Sequence, residues 1–150
     1  MKLYKFMLPL LAGLIFFACD NDDDGASPTN MDSQMIATEE VTGEWRVTLF
    51  RDDNEDETDD FAGLTFEFQD NGDLIISDGS RSITAQWAIT NNNRLIQIDI
   101  DDDDLGVFDD RDELEDLDED WEVIEKNSNL LYLREDDDDN ERDEVRFERI

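Results

Sequence analysis

Carboxylates are the only abundant reactive groups in this sequence. The 150-residue chain carries 44 Asp and Glu against 12 Lys and Arg, a formal charge of −32, and no His. Lacking His, it excludes Ser-His-Asp and Cys-His catalysis and every His-ligated metal. One Cys makes no intrachain disulfide and no thiolate cluster. The charge also excludes nucleic acid, or an acidic membrane surface, as the partner of a basic face. Two chemistries remain. Paired carboxylates hydrolyse glycosides when one is held protonated. Clustered carboxylates supply the about six to eight oxygens that Ca²⁺ accepts from irregular loops. Most acids fall in three blocks: residues 52–60 hold 7, residues 101–120 hold 13 and residues 135–144 hold 8. Blocks of like charge are ordinarily solvated loops, so where the chain folds these blocks decides whether they meet.

The N-terminus reads as a secretory signal over residues 1–18. Lys2 and Lys5 are its positive start, Phe6 to Phe17 its apolar run and Ala18 its small residue. The run is shorter than the roughly 20 apolar residues of a membrane-spanning helix. Phe16-Phe17-Ala18-Cys19 resembles a bacterial lipobox, which implies that Cys19 is lipidated as the first residue of the mature chain. Asp20-Asn21-Asp22-Asp23-Asp24 is similar to the acidic stretch that exports lipoproteins of Bacteroidota, which implies an outer-membrane, surface-exposed protein. The same segment with Gly25 begins like an EF-hand loop. Its twelfth position is Met31, not the bidentate Glu, and no helical pattern flanks it. Residues 19–41 lack periodicity and read as an acidic, flexible tether.

Alternation starts at residue 42 and defines one domain, 42–150. Eight strands are expected near 44–51, 62–69, 73–78, 81–90, 94–100, 120–126, 130–135 and 143–150. Their inward set includes Trp45, Val47, Leu49, Phe66, Phe68, Ile83, Trp87, Ile89, Ile96, Ile98, Trp121, Leu131, Val145 and Phe147. Period-2 alternation with one apolar face predicts an antiparallel up-and-down sheet, closed as an eight-stranded barrel, with a sandwich as the alternative. Between strands 5 and 6, Leu114, Leu117 and Trp121 share one helical face behind Asp110 and Glu113. A short helix is expected at 109–117, lying against one end of the barrel.

Gly43-Glu44-Trp45 resembles the Gly-x-Trp motif of lipocalins. With Trp87 and Asp120-Trp121, the domain is similar to lipocalin-like lipoproteins of Bacteroidota. The resemblance covers residues 42–150. It implies a barrel in which an Arg near the last strand packs across the motif Trp, and Arg149 is the candidate.

In a meander, alternate connections share one end. The three acidic blocks, 28 of the 44 acids, would then crowd one rim. Three readings are open: a solvated surface, a Ca²⁺ site, and a docking surface for a basic partner. The ligand candidates are Asp102 and Asp104, which continue the inward parity of Ile98 and Ile100, with Asp137 and Asp139 from the facing loop. The expected protein is a non-enzymatic binding or structural module with a monomeric domain, held to the membrane through Cys19. A carrier of a small apolar ligand and a carboxylate hydrolase are the alternatives. With three Trp and three Phe facing inward, a filled interior is expected.

Overall fold

The computed structural model describes residues 35–108, 112–135 and 143–150. The signal segment, Cys19 and most of the expected tether lie outside them. Among the described residues, nine strands form one antiparallel sheet: β1 Gly43–Asp52, β2 Glu55–Asp56, β3 Thr65–Phe68, β4 Asp73–Ser77, β5 Ser82–Thr90, β6 Leu95–Asp99, β7 Asp120–Asn127, β8 Leu130–Glu135 and β9 Glu144–Arg149. The order is sequential, and β1 pairs with β9, so eight strands close into a barrel. β2 is a two-residue spur that folds back on the end of β1. Closure removes the free edges that an open sheet would present.

The core follows the alternation. Trp45, Phe66, Phe68, Leu74, Ile76, Ile96, Trp121, Leu133, Val145 and Phe147 are completely inaccessible to solvent. Phe66 and Phe68 both meet Phe147, at centroid separations of 5.5 and 5.7 Å, in edge-on geometry. Edge-to-face pairs of this kind add about 0.5–1.5 kcal/mol beyond burial of the rings.

The inward phase breaks once in β1. The register against β9 shifts between Val47 and Leu49, so Thr48 is an extra residue. A one-residue bulge moves every later side chain to the other face. Phe50 therefore enters the core, where its ring lies 4.5 Å from that of Phe61. Leu49, expected inside, is only half-buried, as are Val47 and Ile89. A second shift between Val123 and Glu125 lies in β7.

The tether ends earlier than the alternation suggests. Residues 36–41 belong to the domain. Ile36 and Val41 are buried, and a single-turn helix, α1 (Thr38–Val41), crosses one mouth of the barrel. Ile36 N–H donates to the Asn93 carbonyl at 2.8 Å, and Lys126 pairs with Glu40. Two isolated apolar residues have no period, so nothing local marks them as core.

The helix expected at 109–117 is present over its described part, as a 3₁₀ rather than an α-helix, and a further turn precedes it. One turn of α-helix, α2, spans Asp102–Leu105, and a 3₁₀ helix spans Asp112–Leu117. Three residues per turn place Leu114 and Leu117 directly above one another. Both are buried, with Phe108 and Trp121, across the other mouth.

The two mouths use one device. Trp45 Nε1 donates to the carbonyl of Val41 at 2.7 Å, and Trp121 Nε1 donates to that of Leu117 at 3.1 Å. In both cases a short helical turn precedes a strand, and its last carbonyl takes the indole N–H of a plugging Trp. Burying an indole requires such a partner. Trp87 finds the Gln69 carbonyl at 2.8 Å.

Candidate functional site

The meander assigns the four connections after β1, β4, β6 and β8 to one pole of the barrel. The three acidic blocks are among them. The fourth, between β4 and β5, joins through Arg81. Its Nη1 donates to the Val107 carbonyl at 2.9 Å, and its guanidinium lies over the Phe108 ring.

Asp52, Asp53 and Asp143 converge there. The β1–β2 turn is built from Asp53 and Asn54, both with positive φ, at 46° and 70°. Asp and Asn tolerate that left-handed geometry better than other side-chain-bearing residues. The turn aims Asp53 N–H at the Asp143 carboxylate, 3.1 Å away. Carboxylate oxygens of Asp52, Asp53 and Asp143 lie within 4.8 Å of one another. Asp52 also joins Glu57 and Asp116 in a second such group, which brings the first and second acidic blocks together. Hard oxygens at this separation match the donor type that Ca²⁺ takes.

Other acids at the pole are occupied by the backbone. Asp78 accepts from Ser80 and Arg81 N–H, both at 2.8 Å, and these bonds hold its carboxyl below the usual range. Asp56 accepts the Thr58 hydroxyl and backbone N–H, which lowers it likewise. Asp101 caps α2 by accepting from Asp103 N–H. Asp143 goes the other way. Burial raises its carboxyl, the Asp53 N–H opposes this, and the neighbouring Asp52 and Asp53 charges raise it further.

That difference gives a pH signature. An acid that binds protons more tightly folded than unfolded stabilises the fold when protonated. The contribution is present at low pH and is lost as pH rises through the raised folded-state value. Asp143→Asn keeps an acceptor for Asp53 N–H and removes the charge. It should melt above the parent at pH 7, with the gap narrowing as pH falls towards the ordinary Asp value. Thermal melts across a pH series check this. A parent that melts higher at pH 7 would mean that the ionised carboxylate contributes more than it costs.

The expected ligands fare differently. β6 ends at Asp99, and α2 begins at Asp102, so strand parity does not extend to Asp102 or Asp104. Asp104 is half-buried on α2 and joins neither carboxylate group. Asp137 and Asp139 lie outside the described residues, as does the Asp102 side chain. Asp52, Asp53, Glu57, Asp116 and Asp143 were not singled out by sequence. The available signal was Asp53-Asn54, a two-residue turn at the end of a strong strand.

Gly43, Trp45 and Arg149 meet at the opposite pole. The Arg149 guanidinium carbon sits 4.1 Å from the Trp45 ring centroid. Its Nη1, Nη2 and Nε donate to the carbonyls of Thr42, Glu40 and Ser128 at 2.8, 2.9 and 2.8 Å. Gly43 has φ +134°, and a Cβ there would overlap Arg149 Nη1. Only Gly admits both the backbone angle and the guanidinium. Arg149 thus ties α1, the start of β1 and the β7–β8 turn into one plug.

No family model matches the chain, and no curated protein matches it by sequence. Among solved structures, the chain is similar to a DUF4847 family protein from Bacteroides vulgatus ATCC 8482. The TM-score is 0.51 at 15% identity, covering 76% of this chain and 98% of that one. At that identity the likeness concerns the barrel fold.

Proposed function

We propose that this chain is a surface-displayed outer-membrane lipoprotein. Cys19 anchors it, and a lipocalin-like barrel serves as a non-enzymatic binding or structural module that works through its acidic pole. One observation carries this reading. Among the described residues, rings and aliphatic side chains pack against one another across the interior and a Trp lies at each mouth, which supports placing the functional chemistry on the outside. A carrier of a small apolar ligand would need the space that Phe50, Phe61, Phe66, Phe68 and Phe147 occupy. A glycoside hydrolase would need aromatic platforms beside its acids, and the three Trp face the core. The Gly43-x-Trp45 motif and the Arg149 stack support the lipocalin-like assignment.

The occupant we assign to the acidic pole is a divalent cation, Ca²⁺, with Asp52, Asp53 and Asp143 as its protein oxygens. Converged carboxylates repel one another more in the fold than in the extended chain. A cation held only by the fold relieves that repulsion and stabilises by RT ln(1 + [L]/Kd), about 1.4 kcal/mol at ten times Kd. In the Cys19→Ser chain, Ca²⁺ should therefore raise the melting temperature by several degrees. Mg²⁺ should do less, because it demands tight octahedral geometry and sheds water reluctantly. Equal shifts with Ca²⁺, Mg²⁺ and NaCl of matched ionic strength would remove the cation. The pole would then remain a solvated surface or a dock for a basic partner.

A further inference from the structure

The chain enters the barrel at the pole opposite its acids. β1 starts and β9 ends at that pole, and Ile36–Val41 crosses the mouth beneath Trp45. Ile36 is pinned to the β5–β6 turn through Asn93, and Glu40 to β7 through Lys126. Everything N-terminal of Met35 is thus attached on the far side from Asp52, Asp53 and Asp143. Charge follows the same axis. Arg94, Lys126 and Arg149 lie at the strap pole beside Glu39, Glu40, Glu44 and Asp70, whereas the described residues of 52–60, 101–120 and 135–144 bring a larger number of acids to the other, with Arg51, Arg81 and Arg134 among them.

We infer that the barrel stands on its strap pole, with the acidic pole as its membrane-distal face. The inference rests on the Cys19 anchor of the proposed function, and it narrows the partner. A cation or basic segment meets the acids from the aqueous side, not from the headgroups of the membrane that holds the protein. Sixteen residue steps separate Cys19 from Met35. Their contour of at most about 55 Å is long enough for the barrel to tip. Against an anionic leaflet, repulsion of the acidic pole opposes tipping. That restraint acts over a Debye length of about 8 Å at physiological salt and weakens as salt rises.

Acylation consumes the only thiol, so Glu55→Cys at the acidic pole and Ser128→Cys at the strap pole each create a single labelling site; both positions are exposed. The acylated full-length variants are labelled with one fluorophore. They are then placed in vesicles of phosphatidylcholine and phosphatidylglycerol carrying a headgroup-linked quencher. Thermal melts matching the parent establish that both barrels are intact. The probe at 128 should be quenched severalfold more than the probe at 55, with the ratio falling as NaCl is added. Equal quenching, or stronger quenching at 55, in protein that floats with the vesicles overturns the orientation and leaves the anchor standing. If the full-length chain with Cys19 intact is recovered without acyl chains and does not float, the anchor is overturned and the orientation with it.

Discussion

Trp45→Ala should lower folding stability by about 3–5 kcal/mol, the range for deleting a core aromatic. The ring is completely buried and carries the Arg149 guanidinium on one face. Its N–H satisfies the last carbonyl of α1. Truncation opens a cavity, leaves the Val41 carbonyl without its donor and frees Arg149 from its stacking surface. Trp45→Phe separates these effects. It keeps an aromatic surface and removes the N–H, so it should cost about 1–3 kcal/mol, the penalty for one unsatisfied buried group. Urea unfolding of each variant measures both. A loss below about 1 kcal/mol for the Ala variant would place Trp45 outside the cooperative core.

Cys19→Ser should move the protein from the membrane fraction to the soluble or unprocessed one and abolish incorporation of labelled fatty acid. On the proposed anchor the effect is large, because attachment would rest on acyl chains at roughly 0.8 kcal/mol per buried methylene, with more than one chain needed for stable attachment. Label that still incorporates into the Ser variant would assign lipidation elsewhere. Deleting Asp22 to Asp24 should leave acylation intact and reduce cleavage by external protease. Unchanged cleavage would detach surface export from that stretch.

Strand positions were legible because half-buried antiparallel sheet writes a period of two into the chain. Ile83, Ala85 and Trp87 alternate with Thr84 and Gln86, and β5 occupies that stretch. The meander was legible too, since Asn71-Gly72 and Asn91-Asn92-Asn93 leave room only for tight turns. With strand count and turn length known, the gathering of the acidic blocks at one pole followed from parity. Side-chain identity within that pole did not follow. Asp102 and Asp104 were read as a strand extension, yet the chain leaves the ladder at Asp99 and coils at once into α2. Asp143 meets Asp53 because the first and last strands close the barrel, a contact between residues 90 positions apart that no local pattern encodes. The same closure decided the phase of β1. Thr48 looks like any alternating strand residue. Only pairing with β9 extrudes it, turning Phe50 inward and Leu49 out. Ile36 and Val41 likewise gained their place from a mouth that exists only once eight strands have met. Periodicity records which face of a strand is buried, whereas closure of the barrel selects which distant side chains share that burial.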